Sequence, residues 1–304
     1  MAGVIPRVSV GMPVFNLEST VARAIESVLA QTFGEFELIV SDNASRDGTE
    51  AICRRYAARD PRIRYTRHQR PISSFDNFRF VLDTAEAPYF MWLPADDYVL
   101  PRLLEQAVTV LDARPDVVCA APRAEFLEAD GTRRPATGSF PLLGNLRDNL
   151  CRFLADPTDN SRFYGVYRRQ AVRRVLPADA YYGFDWVVTG GTLLYGKHVE
   201  LPEVLLVREA NDPLKYTRMI DAIATGPLDR LLPLGRFTAA LLGRLRVPPH
   251  PGVLYALLRL NVIHHVLYCQ YRYPRYGRLA HRVGAGLERL GAGAWRALRR
   301  RPVT

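Results

Sequence analysis

Asp96 and Asp97 are adjacent carboxylates near the end of the run Tyr89-Phe-Met-Trp-Leu-Pro-Ala-Asp-Asp-Tyr98. Residues 89–93 are apolar or aromatic throughout, which predicts a buried strand with the two acids close to its end. Open parallel α/β sheets bind their ligands beyond the carboxyl ends of their strands. Two neighbouring acids there repel each other unless a cation joins them. Carboxylate oxygens suit hard divalent ions, so Mn2+ or Mg2+ carrying a diphosphate is the guest that fits this pair. The competing reading makes the acids a cap for the next helix. Pro101 suits the first turn of that helix, which sets the cap near Leu100, past the acids.

The elements that must hold these acids alternate along the first third of the chain. Strand-like runs at 8–12, 37–41, 63–66 and 89–93 are separated by helical patterns. Val21, Ile25, Val28 and Leu29 form one apolar stripe with Ser19 as its N-cap. Further helices are expected over 49–58, from 73–74 to a stop before Pro88, and along Leu104, Ala107, Val108 and Leu111. A strand at 117–121 follows. Strict alternation predicts a parallel, twisted sheet covered on both faces. The middle of the chain is less regular, with strand-like runs at 163–167 and 204–207 and a helix-like run at 187–195. Beyond Pro213 the pattern is wholly helical. No GxGxxG follows the first strand and no GxxxxGK[ST] occurs, which disfavours dinucleotide oxidoreductases and P-loop enzymes.

The 304 residues carry a net charge of +10, unevenly placed. From Arg230 onward there are fourteen arginines and one acid, Glu288, a net +13. The preceding residues hold 27 basic and 30 acidic side chains, so a slightly acidic body carries a basic tail. Such asymmetry points to a polyanionic partner, either a membrane surface or nucleic acid. Four scattered cysteines without a CxxC pair read as reduced thiols rather than zinc ligands or a disulfide frame. No long apolar segment follows the basic start, so no signal peptide is read and a cytoplasmic protein is expected.

Four further motifs stand in order: Val8-Ser-Val-Gly-Met-Pro-Val-Phe-Asn16; Ser27-Val-Leu-Ala-Gln-Thr32 with Glu37-Leu-Ile-Val-Ser-Asp-Asn-Ala-Ser-Arg-Asp-Gly-Thr49; Asn77 through Asp97; and Gly165-Val-Tyr-Arg168 with Phe184-Asp-Trp186. With these the chain resembles family 2 glycosyltransferases of the GT-A fold, over about Arg7 to Val207. The resemblance implies an α/β fold with a Rossmann-like mixed sheet: residues 1–212 as catalytic domain, with a donor-nucleotide half at 1–122 and an acceptor half at 123–212. Residues 213–304 would be a helical basic extension. It implies inverting, metal-dependent transfer from a nucleoside-diphosphate sugar, UDP-linked by preference, to a hydroxyl of a glycan or lipid-linked acceptor. Pro13 and Phe15 would line the nucleoside pocket, Asp42 and Asn43 would read base and ribose, and Asn77 would be a donor-site residue. Asp96 would approach ribose or metal, and Asp97 would ligate the metal.

Each residue also has a plainer reading. Asp42-Asn43 with Ser45 suits a turn, Asn77 suits a solvated helix face, and Pro13 and Phe15 suit packing. Asp185 is the candidate base for the acceptor hydroxyl. Desolvation between Phe184 and Trp186 would raise its pKa, whereas a helix N-terminus nearby favours its ionised form. The alternative is an exposed capping aspartate.

The chain departs from the family pattern at three places. Pro94 stands where many members have another acid, Phe184 where many have Glu, and Glu-Ala-Asn-Asp follows Arg208 where many carry a histidine. Arg208 or Lys215 would then meet the diphosphate.

In the tail, the apolar residues 252–270 contain Arg259, Asn261, His264 and His265, which suits a buried or interfacial helix better than a span. Leu279, Val283, Leu287, Leu290 and Ala294, with Trp295 and flanking arginines, form the pattern of a helix lying on anionic lipid. A helical pair packed on the catalytic domain or on a second subunit is the alternative, and a homodimer would follow from the latter. The favoured polyanion is the inner membrane face and not nucleic acid. Two other functions share some of these features: a sugar nucleotidyltransferase, for which no triphosphate loop is evident, and a non-catalytic adaptor at the membrane.

Overall fold

A computed structural model describes residues 6–155, 159–210, 213–245 and 249–273, with the side chains of 213–217 and 271 outside that description. In chain order, the first elements are β1 (Val8–Val14), α1 (Val21–Leu29), β2 (Phe36–Asp42), α2 (Thr49–Ala57), β3 (Ile63–Arg67), α3 (Ser74–Thr84) and β4 (Tyr89–Trp92). All residues of β1, β2 and β4 are buried. That burial is the signature of parallel strands covered on both faces. They lie in the order β3-β2-β1-β4, every pair parallel. The alternation in the sequence is thus realised as expected in this part of the sheet. Gly11 of β1 leaves room for α3, since a Cβ there would come within 2.7 Å of Val81 Cγ2.

The helices follow their apolar stripes, but their starts differ from expectation in two places. α1 buries Val21, Ala24, Ile25 and Val28, yet its N-cap is Thr20 rather than Ser19 and no side chain caps it. Leu17 O instead accepts the Thr20 and Val21 N–H groups, so a backbone turn supplies the stop. α4 (Leu103–Ala113) begins two residues later than Pro101 suggests, with Arg102 as N-cap. Pro101 lies in the preceding turn, where its carbonyl accepts from the Thr32 N–H. α3 starts as read: Ser73 Oγ accepts the Asp76 N–H at 3.0 Å.

Beyond β4 the sheet becomes mixed. β5 (Tyr98–Val99), β6 (Val117–Leu127), β7 (Arg133–Pro135), β8 (Val166–Arg168) and β9 (Lys197–Glu209) complete the order β3-β2-β1-β4-β8-β6-β9-β5, with β7 paired to β6. β8 is antiparallel to both neighbours and β5 antiparallel to β9, while β6 and β9 are parallel. The strand-like run at 163–167 is in fact a 3-10 turn, Ser161–Tyr164, followed by a three-residue strand. Aromatic content there serves packing: Phe163 stacks on Trp92 at 4.6 Å. α6 (Arg169–Val175) follows β8.

The chain forms two compact units. The first comprises residues 1–143, 159–176 and 195–210, and holds the sheet. The second comprises 144–158, 177–194 and 211–304, and among the described residues it is helical: α5 (Leu146–Ala155), α7 (Phe184–Thr192), α8 (Pro213–Ile223), α9 (Pro227–Leu231), α10 (Gly235–Leu242) and α11 (Pro251–Arg272). α7 starts three residues earlier than its hydropathy suggests, so Asp185 sits within its first turn. The stretch 279–295 read as a lipid-facing helix lies outside the described residues. Cys53 and Cys119 are buried thiols and Cys151 and Cys269 half-buried ones, outside any disulfide.

Candidate active site

Three of the polar residues singled out, Asp42, Asn43 and Asn77, lie buried at the parallel end of the sheet, each held by its own hydrogen bonds. The Ser41 hydroxyl donates to Asn77 Oδ1 at 2.6 Å, and Asn77 Nδ2 donates to Ser41 O at 3.1 Å. Asn77 is therefore buried on the inner face of α3 rather than solvated. Asn43 clamps Ile72 through both its amide atoms, Nδ2 to Ile72 O at 2.9 Å and Ile72 N to Oδ1 at 2.7 Å. Asp42 is 0% exposed. Its Oδ1 accepts the Ser45 N–H at 2.8 Å, and its Oδ2 accepts the Tyr65 hydroxyl at 2.8 Å. The turn expected from Asp42, Asn43 and Ser45 is thus present. Burial and the neighbouring Asp42 carboxylate push the Tyr65 phenol well above its ordinary range.

Pro13 lies inside β1, in register with Ser41. Phe15, just after that strand, is 46% exposed, so packing does not account for it.

The acid pair lies in the short loop from β4 to β5. Asp96 is half-buried and Asp97 is 5% exposed. Asp97 Oδ1 accepts the Glu209 N–H at 3.0 Å, and Oδ2 lies 3.6 Å from Arg208 Nε. Arg23 completes the frame: its Nη2 donates to Asp96 O at 3.0 Å and to Glu209 Oε1 at 2.6 Å, with its guanidinium 4.6 Å from the Tyr98 ring centroid. The β4–β5 loop is thereby stapled to the end of β9.

Arg208 is held from several sides. Its Nη1 donates to Ser161 Oγ at 3.0 Å and lies 4.0 Å from Asp159 Oδ1. The Phe126 and Tyr164 rings lie 5.0 and 4.6 Å from its guanidinium. Asp159 is itself fixed, accepting the Ser161 N–H on Oδ1 and the Thr137 and Gly138 N–H groups on Oδ2. The sequence reading placed Arg208 here but missed Asp159, Ser161, Arg23 and Glu209. Their partners are remote in sequence and their spacing carries no motif.

A divalent cation is compatible with this donor set only in company. Among the described residues no three His, Cys, Asp or Glu side chains gather to hold an ion alone. One buried carboxylate and its half-buried neighbour match the usual protein share of a cation that arrives with substrate phosphates.

In the second unit, Asp185 lies in the first turn of α7, where its charge suits the helix dipole. Gly183 precedes the helix with φ +85°, and a Cβ there would overlap Leu234 Cδ2. The neighbouring Trp186 is 5% exposed, packed against Phe153 at 5.1 Å, His264 at 5.9 Å and Phe237 at 6.4 Å. Tyr182 Oη lies 3.3 Å from His264 Nδ1. Desolvation lowers the His264 pKa to about 3, so the ring is neutral at ordinary pH. The side chain of Lys215 lies outside the described residues.

The model of the family described as glycosyl transferase family 2 matches residues 9–176, over half of the chain, spanning the donor-side motifs and the acid pair. The chain belongs to glycosyltransferase family 2. Among curated relatives, the Bacillus subtilis (strain 168) protein EpsE, named as a glycosyltransferase, is 37% identical over 108 residues, covering 35% of this family 2 chain. That match spans 39% of EpsE. Among solved structures, a mannosyltransferase of Pyrobaculum calidifontis in complex with GDP-Man and Mn2+ aligns with a TM-score of 0.60 and 18% identity, covering 97% of this chain and 81% of that one. S. aureus TarS 1-349 in complex with UDP-GlcNAc aligns with a TM-score of 0.56 and 13% identity, covering 96% and 92%. At these identities the likeness to solved structures is one of fold, and the mixed α/β sheet is that of the GT-A type.

Proposed function

We propose that this family 2 glycosyltransferase is inverting, and that it takes its sugar from a nucleoside diphosphate, UDP by preference. The acceptor is a hydroxyl of a glycan or lipid-linked precursor in cell-surface polysaccharide or glycoconjugate synthesis, met at the cytoplasmic face of the membrane. The observation that carries this reading is the stapled acid pair, Asp97 with Arg208 3.6 Å away. Opposite charges at a strand end are arranged there to receive a group that carries both a cation and phosphates.

Asp97 with Asp96 would hold Mn2+ or Mg2+, which when bound supplies positive charge to the departing diphosphate. Arg208 adds a fixed guanidinium on the same side, a planar donor suited to phosphate oxygens. Pro13 and Phe15 flank the nucleoside, with Asp42 and Asn43 facing base and ribose and Asn77 on the donor side. Asp185 takes the proton of the acceptor hydroxyl as its oxygen bonds to the anomeric carbon. The bond from that carbon to the diphosphate oxygen breaks on the opposite side, so the configuration inverts. Lys215 is a second candidate contact for the diphosphate.

The test is incubation with UDP-, GDP- and dTDP-sugars with Mn2+, scoring donor hydrolysis and thermal stabilisation. Release of a nucleoside diphosphate from one donor, lost in EDTA, is the expected result. No turnover or stabilisation with any donor would overturn the reading.

A further inference from the structure

α11 is long and apolar enough to cross a membrane, with mean hydropathy 1.3 over Pro251–Gln270. Its packing argues against crossing. Val253, Ala256, Leu257, Leu260, Asn261, His264 and Tyr268 are buried along one side. That side is pinned by polar contacts: Asn261 Nδ2 donates to Thr238 Oγ1 at 2.8 Å, and the Tyr268 hydroxyl donates to Asp221 Oδ1 at 2.8 Å. A spanning helix would have to break these contacts and carry Asn261 and His264 into hydrocarbon at high cost.

The outward side of α11 is apolar over its first two turns. Leu254 is 43% exposed and Leu258 is 63% exposed, one turn apart, with Pro251 exposed before them and Val262 half-buried after them. α9, which meets α11 where Arg230 O lies 3.4 Å from His265 Nδ1, exposes Leu228 at 65% and Leu231 at 55%. α11 contains no acid, and from Arg230 onward fourteen arginines accompany one acid. Exposed leucines on a helix whose other face is packed, in a segment of net +13, match a bilayer boundary in both hydropathy and charge.

We propose that α11 lies flat on an anionic bilayer, inserting the Leu254–Leu258 ridge among the acyl chains, with the leucines of α9 as a second point of entry. The arginine excess of the segment supplies attraction to anionic headgroups, and the packed face keeps the unit folded on the water side. The protein is then a peripheral, monotopic one. This goes beyond the transfer reaction and is read out separately from it.

The test is sedimentation of the full chain with phosphatidylcholine vesicles prepared with and without phosphatidylglycerol, at low and high salt. Wild type should bind only the anionic vesicles and weaken with salt, because the attraction is screened over about 8 Å at physiological ionic strength. The double variant Leu254→Ser/Leu258→Ser should bind at least about tenfold more weakly, since it removes apolar area that insertion would bury. Its thermal unfolding and its donor hydrolysis should match wild type, because both leucines are exposed. Alkaline carbonate should release the bound wild type. Equal vesicle binding by the variant would overturn the proposal, as would carbonate-resistant insertion or no binding by wild type. Self-association of wild type without vesicle binding, lost in the variant, would assign the ridge to contact between copies. Salt-sensitive capture of duplex DNA in place of vesicles would assign the charge to nucleic acid. Either of these also overturns the proposal.

Discussion

Asp97 Oδ2 lies 3.6 Å from Arg208 Nε, and both side chains are almost wholly buried. Residue 97 comes from the β4–β5 loop and residue 208 from β9, so this ion pair joins two strand ends that the chain builds far apart. Arg208 stands beside the acid with its own second carboxylate, Asp159, 4.0 Å away. The arrangement gives a buried carboxylate a fixed counter-charge, which offsets part of the cost of taking it out of water.

Asp97→Asn should abolish metal-dependent donor stabilisation and lower transfer at least about 10²-fold, because one charge at the cation is lost. Isothermal titration with UDP and Mn2+, with circular dichroism as a check on folding, measures it. Retained activity, or full activity in excess EDTA, would remove the metal role from this acid.

Arg208→Ala should destabilise the protein by about 3–5 kcal/mol, since it leaves Asp97 and Asp159 buried without their cation. Arg208→Lys keeps the charge but not the planar fork, so it should recover part of the stability and little of the diphosphate affinity. Urea unfolding separates the two variants. Equal stability of Arg208→Ala and wild type would show the pair to be energetically silent.

Asp185→Asn should lower kcat at least about 10²-fold with donor affinity little changed, as loss of a general base does. Initial rates over a range of donor and acceptor concentrations decide it. A variant that instead loses donor binding would move Asp185 to the donor side. Gly183→Ala, at φ +85° with Leu234 against the missing Cβ, should cost stability and disturb the start of the helix that bears Asp185.

Acid should unfold the second unit earlier than its carboxylates alone would require. His264 is held neutral with a pKa of about 3, against an ordinary value of 6.5. Below pH 6.5 the unfolded chain takes up a proton that the folded chain refuses, so stability falls as pH falls, down to about pH 3. The slope is about 1.4 kcal/mol per pH unit for a fully buried histidine. His198 of the first unit, also driven well down by burial, acts in the same direction. Thermal melts from pH 7 to pH 5 should shift downward, and His264→Asn should flatten that dependence. An unchanged slope would show that protonation of His264 is accommodated in the folded state.

The parallel half of the sheet was legible because β1, β2 and β4 are buried on both faces and α1 and α4 each show one apolar stripe. The signals failed where a side chain answered to a distant partner. Phe163 reads as strand, yet its ring is needed against Trp92 and the backbone makes a 3-10 turn. Ser19 has the right chemistry for a cap, but Leu17 O meets the N–H groups first. In the site, Asp96 and Asp97 stood out as adjacent acids after an apolar run. Asp159 and Arg23 did not, since only the folded sheet brings them to Arg208 and Asp96.

The pairing of β5 has a consequence for synthesis on the ribosome. β5 carries the chain away from the acid pair, and its pairing partner is β9, with Tyr98 opposite Val207 and Val99 opposite Leu206. The four parallel strands can gather once residue 92 has emerged, but the loop bearing Asp97 waits for more than a hundred further residues. Until then two carboxylates lie at an unclosed edge with neither Arg208 nor the Glu209 N–H to hold them. Closure at such long sequence separation is the slow kind of folding event. A nascent chain halted before β9 should therefore be compact in its first strands and unable to retain the donor.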